Sequence, residues 1–92
     1  MLTVDDLIAF CDLRLEEVQA IAEHEHMPVS MAAVFGQSLL HTEHGTERIR
    51  DMLMGAMRLA VRRHDVPQAR HLVSTLRHFL HEHPDAAFRQ AA

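Results

Sequence analysis

The 92-residue chain carries nine Arg and no Lys, thirteen Asp and Glu and nine His, for a formal net charge of −4. One domain of this size buries only about 60 to 65% of the surface its unfolded chain exposes, so stability is modest unless association adds to it. The lone Cys11 rules out an intrachain disulfide, and the longest run free of charged residues and histidine, residues 27–40, falls short of the roughly 20 that cross a bilayer.

Charge is split along the chain. Residues 1–47 hold nine carboxylates against Arg14 alone, whereas residues 48–92 hold eight Arg against four carboxylates. An acidic half can therefore lie beside a basic half, within one molecule or between two. The first residues, Met1-Leu2-Thr3-Val4-Asp5-Asp6, carry neither a basic nor an apolar leader segment, so no signal peptide is expected. A soluble, cytoplasmic protein is the expectation.

Thr3 is a good helix N-cap, with Asp6 three residues on to complete a capping box, and a short helix over residues 4–11 follows. Its stripe is Val4, Leu7, Ile8 and Cys11. The cysteine is therefore expected on a buried face as a small hydrophobe rather than as a nucleophile.

Asp12 is placed to cap a second helix over residues 13–26, with Glu16 and Glu17 near the positive end of its dipole. Leu15, Val18, Ile21 and Ala22 form its inner face, and Glu25 continues that face. The run Glu23-His24-Glu25-His26 ends it. Adjacent helical residues point about 100° apart, so His24 and His26 diverge and read as a polar C-terminal turn.

Pro28 opens a third helix over residues 28–41, with Val29, Ala32, Ala33, Phe35, Gly36, Leu39 and Leu40 as its apolar set and Met31 on the flank. Ala32 and Gly36 keep the surface low, so another helix can approach there. Thr42 or Thr46 then caps the longest element, residues 43–64. Its stripe of Ile49, Met52, Leu53, Ala56, Met57, Leu59 and Ala60 follows a 3.6-residue period, and Met54 and Val61 widen it.

His64-Asp65-Val66-Pro67-Gln68 reads as one helix end, an Asp N-cap and a first-turn proline. The fifth helix, residues 66–83, carries Ala69, Leu72, Val73, Leu76, Phe79 and Leu80 inward and is stopped by Pro84. The expected domain is residues 1–84, with residues 85–92 as a frayed tail.

Ala22-Glu23-His24-Glu25-His26-Met27-Pro28, Leu40-His41-Thr42 with Gly45, and Leu76-Arg77-His78-Phe79-Leu80 before His83-Pro84 together form a pattern over nearly the whole chain. It resembles that of a group of short helical bacterial proteins with no assigned function. The resemblance implies a shared fold and adds no activity.

The nine histidines invite a metal reading, with His78 and Glu82 the best helical pair and His71 and His81 nearby. No His-Glu-x-x-His, paired CxxC or acidic calcium loop is present, so no residue is assigned as a metal ligand and no cofactor is expected. Between pH 7 and pH 5 the histidines add positive charge, so acid is expected to alter association. Arg58, Arg62 and Arg63 at the end of the central helix and Arg70 and Arg77 along the fifth allow a basic ridge. The negative net charge, the absence of Trp and Tyr and the lack of a base-reading helix argue against nucleic acid as the partner.

The sequence thus predicts an all-α domain of five helices around a long central fourth helix, with no catalytic residue. It is read as a small interaction or regulatory module, acting by self-association or by docking to another protein. A homodimer through Met54, Met57, Val61 and Met31 is expected, because no single chain of this size readily covers both the inner stripe and its flank. The alternative is a histidine-based metal-binding or metal-dependent protein.

Overall fold

A computed structural model describes Thr3, Asp6, Ala9 and residues 11–87. The fold is all-α. Among the described residues there are four α-helices, α1 (Leu15–Glu25), α2 (Val29–Leu40), α3 (Gly45–Arg62) and α4 (Val66–Glu82), followed by a 3-10 turn at Pro84–Ala86. Five helices about a central fourth are therefore not matched. Most of the first expected helix, residues 4–11, lies outside the described residues. The capping pair that would open it is present: Asp6 N–H donates to Thr3 Oγ1 and Thr3 N–H to Asp6 Oδ2, each at 3.1 Å.

α3 is the longest helix and packs against α1, α2, α4 and the 3-10 turn. Its contact with α4 is the most extensive between elements among the described residues. The thinnest dimension is 19 Å. A helix with its side chains is about 10–12 Å across, so the molecule is two helical layers thick. Val18 and Ile21 of α1, Ile49 and Leu53 of α3 and Phe79 of α4 are fully buried between them.

α1 starts two residues later than its pattern implies. Asp12 does not cap it: Asp12 N–H donates to Gln37 Oε1 at 2.9 Å, and Gln37 Nε2 donates back to Asp12 Oδ2 at 3.0 Å. This exchange ties the entering chain to α2 and turns Leu13 into the core, where its Cδ1 fills the space a side chain at Gly36 would take. The helix that follows keeps Val18, Ile21 and Ala22 of its expected inner face buried. Leu15 is exposed and Glu17 is buried.

Gly36 meets Ile21 as well as Leu13, so the low surface on α2 does admit α1 closely. Thr42 caps the wrong helix for the expectation. Its Oγ1 donates to the Leu39 carbonyl at 2.8 Å and finishes α2, leaving His44 as the residue before α3. Gly45 is required there, because a Cβ would collide with the Leu39 carbonyl.

The next boundary follows its sequence signature. Asp65 Oδ1 accepts from Gln68 N–H at 3.2 Å, with Pro67 in the first turn. α3 ends just before it in a Schellman arrangement, with Asp65 N–H on the Ala60 carbonyl at 2.9 Å and His64 N–H on that of Val61 at 3.0 Å. α1 ends on a left-handed His26, with the N–H groups of His26 and Met27 both on the Ala22 carbonyl. His26, His44 and His64 all have positive φ, and they are the only non-glycine residues among those described that do.

Beyond α4 the chain turns back onto α3. Ala86 is fully buried, Arg50 Nη1 donates to its carbonyl at 2.8 Å, and Thr46 Oγ1 donates to Asp85 Oδ2 at 2.8 Å. The first residues of the stretch expected to fray are thus docked. Phe88 lies outside the described residues.

Candidate functional site

Two surface features carry chemistry that the fold does not use up. One is an apolar groove at the turn between α3 and α4. The other is a polar cleft between α1 and α4.

The groove has a volume of about 570 Å³ and is lined by Val61, His64 and Asp65 at the turn and by Val66, Ala69, Arg70, Val73, Ser74 and Arg77 of α4. Positions 66, 70, 73 and 77 recur at four- and three-residue steps and so lie on one helical face. α4 turns its other face inward, burying Leu72, Thr75 and Phe79. Val61 is 59% exposed and Val66 56% exposed. Large aliphatic side chains this open, grouped in one concavity, are the usual mark of a surface that another body covers.

Two arginines, Arg70 and Arg77, line this groove. Their side chains, like those of Arg58, Arg62 and Arg63, are exposed and make no hydrogen bond or ion pair among the described residues, in contrast to Arg14, paired with Glu82, and Arg50, paired with Asp51. Asp65, the carboxylate at the groove, is engaged in capping α4. Of the arginines read as a basic ridge, Arg70 and Arg77 border these apolar residues, whereas Arg63 lines a separate cleft with Glu23 and His24.

Of the four residues expected at an interface, Val61 lines this groove, and Met54, Met57 and Met31 do not. Met54 and Met57 are half-buried, Met57 packing against the core. Met31 is 57% exposed on α2 and sits three residues from Val34, 61% exposed, as a second and smaller apolar patch. Val66 and Val73 belong to the groove although the sequence reading placed Val73 inward and gave Val66 no role. The signal that finds them is the seven-residue step shared by Val66 and Val73 and by Arg70 and Arg77.

The polar cleft, about 230 Å³, is lined by Arg14, Glu16 and Glu17 from the start of α1 and by His71, Ser74, Thr75 and His78 of α4. Glu17 is 2% exposed. Its Oε1 accepts from Arg14 N–H at 2.8 Å. Burial pushes its carboxyl up to about 7, with Glu82 and Glu16 adding to the rise and the Arg14 backbone bond and guanidinium opposing it. Arg14 itself is turned toward Glu82, with Nε and Nη2 both 2.7 Å from Oε1.

The histidines do not converge. His78 Nδ1 lies 3.9 Å from Glu82 Oε1, but among the described residues no group of three or more His, Cys, Asp or Glu could hold a metal ion. His83 stacks on Phe79 with ring centroids 4.6 Å apart, its Nε2 buried without a hydrogen-bond partner. Cys11 is half-buried, its Sγ 3.8 Å from the Ala33 carbonyl, and burial with the neighbouring Asp12 charge pushes its thiol up. A raised thiol is a poor nucleophile at neutral pH. Among the described residues no helix is long and apolar enough to cross a membrane.

No protein-family model, curated protein or solved structure matches the chain.

Proposed function

We propose that the chain is a small cytoplasmic helical interaction module whose working surface is the groove between the end of α3 and the outer face of α4. The observation that supports this reading is the grouping of Val61, Val66, Ala69 and Val73 in one open concavity together with Arg70 and Arg77. Core residues left over by poor packing would be scattered; these share one face. A docking face should also tolerate polar substitution in the free protein. Val61→Glu with Val73→Glu is expected to shift folding stability by no more than about 1 kcal/mol, whereas charges placed in a packed core unfold a domain of this size. Loss of the folded state in that variant would make the groove part of the core and remove the proposal.

Self-association as a homodimer through Met54, Met57, Val61 and Met31 is the second form of the same reading. The exposure of Met31 and Val61 favours it. Light scattering at micromolar concentration separates the two forms: a mass of 10.5 kDa at every concentration excludes the homodimer and leaves docking to another protein.

A further inference from the structure

Resting on the groove as a docking surface, we propose that its occupant is an acidic amphipathic helix of another protein. Val66 and Val73 stand seven residues apart on α4, about 10 Å along the axis, and the face from Val66 to Arg77 runs about 16 Å, or three helical turns. That floor fits a helix presenting apolar side chains at i, i+3 or i+4, and i+7. Arg70 and Arg77 of α4 line it. Carboxylates beside the incoming apolar stripe would meet these two guanidinium groups, which have no partner among the described residues.

Charge also argues against the other occupants. A twofold axis laying groove on groove would gather Arg70 and Arg77 of both copies into one interface, like charge with like charge, since an isologous interface carries the same residues on both sides. The acidic helix α1 of a second copy cannot enter, because Val18, Ile21 and Ala22 are buried in its own core. A nucleic acid would meet the arginines but would have to lay its phosphates along valines, and the chain has no Trp or Tyr on which bases could stack.

The test is an NMR titration of the ¹⁵N-labelled full chain with three probes. These are a helical peptide with leucines at i, i+4 and i+7 flanked by glutamates, the same peptide with lysine for every glutamate, and a short duplex DNA. The glutamate peptide is expected to shift amides across residues 61–77 and to bind about tenfold more tightly than the lysine peptide at low salt, the gap narrowing as salt screens the pairs. Arg70→Glu with Arg77→Glu, both exposed and therefore harmless to the fold, should reverse the preference. Equal binding of the two peptides would overturn the acidic occupant while leaving the groove as a docking surface. Failure of both peptides to shift residues 61–77 would overturn the groove reading with it. Tighter binding of the duplex, abolished by the arginine variants, would make the ridge a phosphate reader and overturn the proposal.

Discussion

Arg14 engages Glu17 through its backbone and Glu82 through its side chain, so one residue closes the first turn of α1 and joins that turn to the last turn of α4. Its guanidinium is drawn outward to Glu82. Glu17, directly beneath, keeps a single backbone bond and a costly burial. The consequence is a carboxyl that holds its proton near neutrality.

Stability should therefore fall as pH rises. The folded carboxyl titrates at about 7 against an ordinary value of 4.5. Between these limits the folded state binds more protons than the unfolded one, and unfolding free energy declines with pH until the folded group has ionised. The full effect is on the order of 3 kcal/mol. Glu17→Gln keeps an acceptor for Arg14 and should remove this slope, making the variant the more stable protein above pH 7. Denaturant melts of both proteins at pH 5 and pH 8 check this, and the comparison cancels the histidines common to both. Parallel pH profiles would show that Glu17 is not the group responsible.

Two glycines should respond oppositely to alanine. At Gly45 the new Cβ meets the backbone carbonyl of Leu39, which cannot move without opening the α2–α3 turn, so a loss of about 3 kcal/mol or more is expected. At Gly55 it meets the end of the His24 ring, a side chain that can swing away. In a His24→Ala background Gly55→Ala should gain about 1 kcal/mol from helix propensity, and less when His24 is present. A double-mutant cycle by chemical denaturation reads the difference.

The left-handed histidines make a separate forecast. His26 and His64 occupy the position past a helix end where glycine is favoured. Replacing either with glycine should raise stability by about 0.5–1 kcal/mol, and the two gains should add because the sites terminate different helices. A loss at either site would mean that its imidazole makes a contact stronger than the backbone cost.

Cys11 should behave as a structural residue. Its thiol is half-buried and raised, so a thiol reagent should modify it more slowly in the native protein than after unfolding. Cys11→Ala should cost on the order of 1 kcal/mol and leave association unchanged. Native-state modification as fast as that of the unfolded chain would contradict the observed burial.

What the sequence disclosed was local chemistry. Asp65, Pro67 and Gln68 mark a helix start by their own side chains and ring, so that boundary was readable, as was the Thr3 and Asp6 pair. Ile49, Leu53 and Ala56 were readable as core because their stripe is strong enough to dominate any rotation. Orientation between two neighbours was not. Leu13 in the core, Leu15 in water and Glu17 beneath Arg14 all follow from the Asp12 and Gln37 exchange, a contact across 25 positions that no periodicity encodes. The same holds at the candidate site. Val61 was recognisable from its width beyond the stripe, but Val73 was misplaced because α4 turns Thr75 toward α1 instead, satisfied by its own bond to the His71 carbonyl at 2.9 Å. Met54 and Met57, read as interface residues, are half-buried.

The bonds from Thr46 and Arg50 to Asp85 and Ala86 bear on how the chain reaches this state. They fasten the two ends of the α3–α4 hairpin, which is continuous in sequence and has the most extensive interface between elements among the described residues. Contacts between neighbours in sequence close at the smallest entropic cost, so this hairpin is the region best placed to form ahead of the rest. Conservative truncations within it, such as Leu53→Ala, should slow refolding. Ile21→Val in α1, which docks afterwards, should chiefly hasten unfolding. Stopped-flow chevrons of the two variants would separate these behaviours, and an unfolding arm that moves for Leu53→Ala while its folding arm stays fixed would place the nucleus elsewhere.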